Sequence, residues 1–187
     1  MHVQIRDNLL ELLVADITTL STDAIVNAAN GTLMGGGGVD GAIHRKAGPG
    51  LLEECKAIRR EKLHGKLLPT GEVVVTKGYR LPARYVLHTV GPIWSLGNEE
   101  KNKRLLASCY RNCLQLAKDM GIRSIAFPSI STGAYRFPVD LAADVAMEEM
   151  VRFLKKESFG KVIMALFSPE DYETYQRALE SILHDPK

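Results

Sequence analysis

The sequence predicts an α/β fold with three layers, in which helices flank both faces of a mixed, mainly parallel central sheet. Two observations lead to this prediction. Short runs rich in β-branched residues and bounded by Gly, Pro, Asp or Asn alternate with longer segments of helical apolar spacing. The first two strand-like runs instead follow each other directly, as in a hairpin. An early hairpin followed by strand–helix alternation indicates an antiparallel edge on a parallel sheet.

The strand and helix patterns can be placed along the whole chain. Seven strands are predicted, at Val3–Ile5, Leu9–Val14, Ala24–Asn27, Glu72–Lys77, Tyr85–Val90, Ser124–Phe127 and Lys161–Phe167. Helices are predicted at Ala42–Lys46, Leu51–Leu63, Asn98–Met120, Val139–Lys156 and Glu170–Leu183. The dipeptide Asp7-Asn8 is predicted to form the first hairpin turn, and Gly48-Pro49-Gly50 interrupts the first helical region.

Length and composition limit the possible classes of protein. A chain of 187 residues fits one domain, and a net charge of +2 is too balanced for a nucleic-acid binder. The three cysteines, Cys55, Cys109 and Cys113, have no framework or metal spacing, which favours reduced thiols in a cytoplasmic protein. We expect no signal peptide, because no charged start precedes an apolar stretch. No membrane-spanning segment, no metal and a monomeric state are also expected.

The first loop with unusual chemistry follows the third predicted strand. It runs from Asn27 to His44 and contains four successive glycines, Gly35–Gly38. Such a run costs much backbone entropy, which favours a loop whose backbone approaches a ligand closely. The alternative is a flexible surface loop. Ahead of a helix N-terminus, the exposed N–H groups form a cradle suited to a diphosphate.

Other glycine-rich motifs do not fit this loop. Gly36, Gly38 and Gly41 match G-x-G-x-x-G, but the pattern follows the third strand and lacks an acidic residue at the end of the next strand. No Gly-Lys-Ser/Thr follows, so the Walker pattern also fails. These mismatches argue against a Rossmann dehydrogenase and a P-loop enzyme.

Asp40 lies inside the predicted cradle, where phosphates would repel its carboxylate. It could orient or deprotonate a water molecule next to the ligand. Alternatively, it simply occupies the first turn of the following helix, where the helix dipole favours an acidic residue. The residue alone does not separate these two readings.

A second loop, Phe127–Pro138, also connects a strand to a helix. Ser131, Thr132 and Gly133 offer hydroxyls and bare backbone to a diphosphate, or they serve as ordinary caps. Tyr135 could cover a sugar. Asp16, which ends the second strand, could accept a hydrogen bond from an exocyclic amine or cap the short helix that follows.

Several strings, in this order, resemble the MacroD-type macrodomains over almost the whole chain. They are Ala15-Asp16-Ile17-Thr18, Ile25-Val26-Asn27-Ala28-Ala29-Asn30, Gly35–Asp40 with Gly41-Ala42-Ile43-His44, Ala47-Gly48-Pro49, Pro69-Thr70-Gly71-Glu72, His88-Thr89-Val90-Gly91-Pro92-Ile93-Trp94 and Phe127–Gly133. Arg136 departs from the pattern as a bulky charged residue in the second loop. It could contact a phosphate or tune access to the cleft.

The resemblance implies a single macrodomain over residues 1–187, with an ADP-ribose cleft at the carboxyl end of the sheet. Asp16 and the Ile17 backbone would bind the adenine amine, and Phe167 would pack on the adenine ring. The catalytic residues would be Asn30, which binds the distal ribose, and Asp40, which lies beside the same sugar and an ordered water. The remaining ligand-binding residues would be Asn27, Gly35, Gly36, Gly37, Gly38, Val39, Ser129, Ser131, Thr132, Gly133, Ala134 and Tyr135.

The activity that the resemblance implies is hydrolysis of esters at the distal ribose, without a cofactor. The substrates would be proteins mono-ADP-ribosylated on Asp or Glu and O-acetyl-ADP-ribose, with nucleic acid only as an ADP-ribosylated substrate. The base would be Asp40 or the substrate diphosphate. Two alternatives use the same cleft: a reader module that binds ADP-ribose without turnover, and an ADP-ribose 1″-phosphate phosphatase, which is usually assigned to relatives lacking the Asp.

Overall fold

The structure, a computed structural model, describes residues 1–184. The strands are β1 (His2–Ile5), β2 (Asn8–Val14), β3 (Ala24–Ala29), β4 (Val73–Lys77), β5 (Tyr85–Val90), β6 (Ser124–Phe127) and β7 (Lys161–Leu166). The α-helices are α1 (Gly38–Ala47), α2 (Pro49–Glu61), α3 (Glu99–Asp119), α4 (Val139–Lys156) and α5 (Pro169–His184), and a short 3-10 helix covers Ile17–Thr19.

All seven strands form one sheet in the order β1-β2-β7-β6-β3-β5-β4. The five inner strands run parallel, whereas β1 and β4 pair antiparallel at the two edges. The hairpin therefore supplies one antiparallel edge, as the sequence predicts. The predicted mixed, mainly parallel sheet is confirmed.

Helices cover both faces of the sheet and define two apolar cores. The smaller core, between the sheet and α1 and α2, contains Ile43, Leu51 and Ile58. The larger core packs α3, α4 and α5 against the opposite face. Alternate residues of each buried strand face opposite cores, so the inner strands read as continuous apolar runs. The predicted three-layer α/β/α arrangement is confirmed.

Most elements differ from the sequence predictions by one or two residues at a boundary, and three differences bear on the site or on the hairpin. The hairpin turn is Arg6-Asp7, not Asp7-Asn8: Asn8 is the first residue of β2, paired with Ile5, and its buried amide binds the backbone of the α4–β7 connection. Helix α1 begins at Gly38, four residues before the predicted start; the prediction began too late because glycine has a low helix propensity. Strand β7 ends at Leu166, which leaves Phe167 outside the sheet.

The five parallel strands end at one edge of the sheet, and four of the connections that follow them carry predicted site residues. In spatial order these connections follow β2, β7, β6 and β3. Within two residues of the strand ends, they carry Asp16, Phe167, Ser129 and Asn30 in the same order. Neighbouring strands lie roughly 4.8 Å apart, so the row spans roughly 14 Å. This edge is the crevice where open α/β sheets bind their ligands. No helix within residues 1–184 is both long and apolar enough to cross a membrane.

Candidate functional site

The glycine run forms the junction between the first loop and α1. Gly37 is the N-cap, has no side-chain capping bond, and is exposed together with Gly36 and Gly38. Gly38 has φ +56, a left-handed conformation that side chains rarely adopt. The N–H groups at the start of a helix have no intrahelical acceptor and carry partial positive charge. This junction is therefore an open anion-binding surface.

The loop is held close to the helix that it starts. A residue with a side chain would not fit at position 41, because its Cβ would overlap the Gly36 carbonyl oxygen. The loop and the first turns of α1 are therefore packed closely together at Gly41. Gly36 in turn faces the interior of the site. The position of a Cβ at Gly36 would lie 3.3 Å from Asn30 Nδ2 and 3.3 Å from Asp40 Oδ2. The amide and the carboxylate therefore converge on one side of the glycine loop.

The Asn30 side chain makes three hydrogen bonds within the first loop. Its Oδ1 accepts bonds from the backbone N–H and the hydroxyl of Thr32, and its Nδ2 donates to the Gly35 carbonyl oxygen over 3.0 Å. A primary amide has two N–H donors, so one remains for another acceptor. The side chain thus both shapes the loop and offers one donor beside Asp40.

Asp40 occupies the first turn of α1, and it is only 5% exposed. Its Oδ1 accepts a hydrogen bond from Asn27 Nδ2 over 2.8 Å and lies 3.5 Å from His44 Nε2. Burial raises the pKa of the Asp40 carboxyl, although the Asn27 bond and His44 lower it in part. Asp40 is therefore a first-turn residue, as one sequence reading expects, and the pKa of its carboxyl is higher than that of an ordinary aspartate.

The second loop is anchored from below by two buried tyrosines. Tyr110 OH accepts a bond from Ile130 N and donates to the Pro128 carbonyl oxygen. Tyr175 OH lies 2.5 Å from Ser129 Oγ, which also accepts from Thr132 Oγ1 over 2.8 Å. The hydroxyls of Ser129 and Thr132 are thus engaged within the protein. The sequence analysis missed both tyrosines, because only the structure shows where their hydroxyls point.

The upper part of the second loop is more open. Ser131 has φ +69 and is nearly buried, and a Cβ at Gly91 would overlap its hydroxyl. Gly133 and Ala134 are exposed, as is Arg136, and the Tyr135 carbonyl oxygen accepts a bond from Trp94 N over 2.8 Å. The open backbone at Gly133 and Ala134 is available to an anion opposite the glycine run.

At the far end of the edge lie Asp16, Ile17 and Phe167. Asp16 caps the 3-10 helix, since its Oδ1 accepts bonds from Thr18 N and Thr18 Oγ1. These bonds lower the pKa of Asp16, so the carboxylate is ionised at neutral pH, and its Oδ2 is not used by the cap. Phe167 is 90% exposed. The Ala15 N–H donates to the carbonyl oxygen of Leu166, the residue before Phe167, over 3.0 Å. An aromatic face and an acceptor thus stand at neighbouring strand ends.

Asn27, which the sequence analysis assigned to ligand binding, lies under the site. Its side chain is fully buried in β3, and its Nδ2 contacts Asp40 Oδ1 and His88 Nδ1. It therefore contacts the Asp40 carboxylate from the buried side of the sheet edge. A cavity of about 470 Å³ also opens beside the first loop, lined by Gly35, Gly36 and His44 among others.

Comparison with known proteins identifies the family. The Macro domain family model matches residues 26–146. The fold superimposes on the Oceanobacillus iheyensis macrodomain with ADP at a TM-score of 0.96, with 50% identity over 98% of this chain and 96% of that one. The chain belongs to the macrodomain family.

Two further macrodomains are similar to this one. The Trypanosoma brucei macrodomain in complex with ADP-ribose gives a TM-score of 0.81 and 44% identity, covering 91% of this chain and 68% of that chain. A protein of Enterobacter named O-acetyl-ADP-ribose deacetylase is 47% identical over 171 residues, which are 91% of this macrodomain and 93% of the relative. The family resemblance read from the sequence strings is thereby confirmed.

Proposed function

We propose that this macrodomain binds ADP-ribose and hydrolyses esters at its distal ribose. The substrates would be proteins mono-ADP-ribosylated on Asp or Glu side chains, and O-acetyl-ADP-ribose. The observation that carries the proposal is the convergence of Asn30 Nδ2 and Asp40 Oδ2 beside Gly36. Binding a diphosphate alone would not need a buried carboxylate next to the anion cradle, because that carboxylate repels the ligand.

The order of the strand ends supports the proposed ligand. Adenine would lie between Asp16 and Phe167 after β2 and β7, and the diphosphate between the loops after β6 and β3. The distal ribose would then reach Asn30 and Asp40. The linear order of adenosine, diphosphate and ribose thus matches the order of the connections along the sheet edge. Relatives that carry ADP-ribose or ADP in their solved structures add support.

The proposed reaction is attack of water on the acyl carbonyl carbon. Asp40 accepts a proton from the water as the new C–O bond forms. The tetrahedral intermediate then loses the ribose oxygen, which takes up a proton, so the products are a carboxylic acid and ADP-ribose. The raised pKa of Asp40 brings it closer to the operating pH, which suits a general base. The donor left on Asn30 would hold a ribose hydroxyl and orient the ester. The substrate diphosphate is the alternative base.

A non-catalytic reader is the second candidate. It is favoured by the engagement of Asn30 with Thr32 and Gly35, because a side chain that shapes a binding loop need not take part in a reaction. One assay distinguishes the hydrolase from the reader. The protein is incubated with a Glu-linked mono-ADP-ribosylated protein and, separately, with O-acetyl-ADP-ribose, and free ADP-ribose is followed. Catalytic release supports the hydrolase; tight ADP-ribose binding without release supports the reader.

The adenine end offers a selective test of binding. We expect Asp16→Asn to weaken ADP-ribose binding by about tenfold, roughly 1.4 kcal/mol, yet to leave ribose 5-phosphate binding almost unchanged. Asparagine keeps the oxygen that caps the 3-10 helix but replaces the free acceptor with a donor, which cannot bind an adenine amine. Calorimetric titration with both ligands measures the difference. Equal weakening of the two would contradict the adenine role.

A further inference from the structure

A row of polar side chains lies beneath Asp40, on the sheet face that packs against α1 and α2. Asn27 in β3 is the register partner of His88 in β5, and Thr76 in β4 lies beside His88. Asn27 and His88 are fully buried, and Thr76 is 1% exposed. Burial of polar groups is costly unless their hydrogen bonds are made. Three such residues in a row on an otherwise apolar face therefore require an explanation.

The hydrogen bonds of this row have only one possible direction. Asn27 Nδ2 is a donor, and it contacts both Asp40 Oδ1 over 2.8 Å and His88 Nδ1 over 3.1 Å. His88 Nδ1 must therefore accept, which places the imidazole proton on Nε2. That nitrogen then donates to Thr76 Oγ1 over 2.9 Å. Burial lowers the pKa of His88 to about 3, so the ring stays neutral at physiological pH.

This direction decides which end of the Asn27 amide meets Asp40. If the amide were rotated by 180°, its carbonyl oxygen would face an ionised carboxylate at hydrogen-bond distance, which is repulsive. A His88 ring that carries its proton on Nε2 stabilises the unrotated state, because its Nδ1 accepts the second N–H of the Asn27 amide. The row thus holds Asp40 Oδ1 from below and leaves Oδ2 directed to the side of Gly36 and Asn30.

We propose that His88, acting through Asn27, is a positioning residue that fixes the orientation and proton affinity of the Asp40 carboxylate for ester hydrolysis. The role in hydrolysis rests on the proposed function, whereas the control of Asp40 does not. His88 is fully buried, and Asn27 is the side chain that hydrogen-bonds to both His88 and Asp40. Asn27 therefore provides the direct hydrogen-bonded route from His88 to the carboxylate, while His44 is coupled to His88 only through charge. The row is therefore a support for the reactive carboxylate built from three neighbouring strands.

Few other titratable groups neighbour Asp40 in the described part of the chain. His44 on α1 lies 3.5 Å from its Oδ1, and Cys55 on α2 is near enough for the charge of Asp40 to raise the thiol pKa. The Asn27 bond lowers the pKa of Asp40 against the effect of burial. Loss of the correct amide orientation must therefore raise the pKa of Asp40, with His44 and Cys55 unchanged.

The test compares three variants of the full chain. His88→Leu removes both hydrogen-bonding atoms of the ring. His88→Gln keeps an acceptor for Asn27 and a donor for Thr76, so it is the rescuing variant. Thr89→Val is the matched control, because it deletes the buried Thr89 hydroxyl bond to the Glu72 carbonyl oxygen, on the opposite face of β5. The measurements are the Asp40 carboxyl titration by carbon-13 NMR, the pH dependence of kcat, and the Kd for ADP-ribose.

In His88→Leu we expect the pKa of Asp40 to rise, the acid limb of kcat to move to higher pH, and kcat at neutral pH to fall by about tenfold. The Kd for ADP-ribose should stay within about twofold, as most binding contacts lie elsewhere. His88→Gln should restore most of kcat, and Thr89→Val should shift neither the titration nor kcat. A general loss of stability would lower the folded fraction without moving a pKa.

An unchanged Asp40 titration in folded His88→Leu would overturn the proposal. If that variant does not fold, His88→Phe decides instead: it keeps an aromatic ring in the buried position but lacks both hydrogen-bonding nitrogens, and the proposal requires the pKa of Asp40 to rise there too. Should the wild-type protein release no ADP-ribose from any ester, the proposed function fails. The NMR titration then still decides whether His88 and Asn27 control Asp40.

Discussion

Asp40→Ala should keep ADP-ribose affinity within about tenfold, roughly 1.4 kcal/mol, and lose ester hydrolysis by about 10²–10⁴-fold, the usual contribution of a general base. The carboxyl is buried and repels a neighbouring phosphate, so its removal costs little binding. In the wild-type protein, turnover should fall as the pH drops through the raised pKa of Asp40, because protonation removes the base. Steady-state kinetics against pH and calorimetry measure both effects.

The matched control for this variant is Asp140→Ala. Asp140 is also an acidic residue in the first turn of a helix, but it is exposed on α4 and outside the site. Both substitutions remove one favourable charge from a helix N-terminus, so their effects through the helix dipole are comparable. Only Asp40→Ala should reduce turnover. Normal turnover in Asp40→Ala would remove this carboxylate from the mechanism and leave the substrate diphosphate as the base.

Asn30→Ala should leave the fold intact and lower kcat by about 10²-fold, since an ester that is no longer oriented reacts less often. The side chain is half-buried in an exposed connection, so no core packing is lost. The structure adds a second consequence. Three hydrogen bonds within the first loop disappear with the amide, so ADP-ribose binding should also weaken. Single-turnover kinetics at saturating substrate separate the two effects.

Thr32→Val separates loop ordering from orientation of the sugar. It deletes the hydroxyl that bonds to Asn30 Oδ1 and accepts from Met34 N, but it leaves the Asn30 amide in place. We expect its kcat to stay within about threefold of wild type, because loop contacts of this kind contribute roughly 1 kcal/mol or less. If Thr32→Val reproduced the full loss seen in Asn30→Ala, Asn30 would act only as a loop residue.

The fold could be read from the sequence because it depends on apolar patterning. The inner strands are mostly apolar, and the helices repeat their apolar residues at helical spacing, so the three layers could be predicted directly. The misplaced boundaries have local causes. Gly38 looked like loop because glycine disfavours helices, yet the structure uses it as the first residue of α1. Asn8 looked like a turn residue, but its amide binds the α4–β7 connection, which is distant in sequence.

The site could be predicted only in part. The residues at the strand ends followed from the rule that ligands bind at the carboxyl edge, and the resemblance supplied their roles. The buried residues that hold these site residues in place could not be predicted in this way. The roles of His88 and Tyr175 could not be predicted, because their hydrogen bonds depend on cross-strand register and on packing between α5 and the second loop. Such contacts join residues far apart in the chain, and no local pattern encodes them.

The central claim is that two strand-end loops hold a diphosphate so that Asn30 and Asp40 meet the distal ribose. A crystal structure of this protein with ADP-ribose tests it most directly. We predict the diphosphate between Gly36–Val39 and Ser131–Tyr135, with a distal ribose oxygen within about 3.2 Å of Asn30 Nδ2 and Asp40 Oδ2 facing the same sugar. A distal ribose that turns away from both side chains, or a diphosphate bound outside the two loops, would contradict the account.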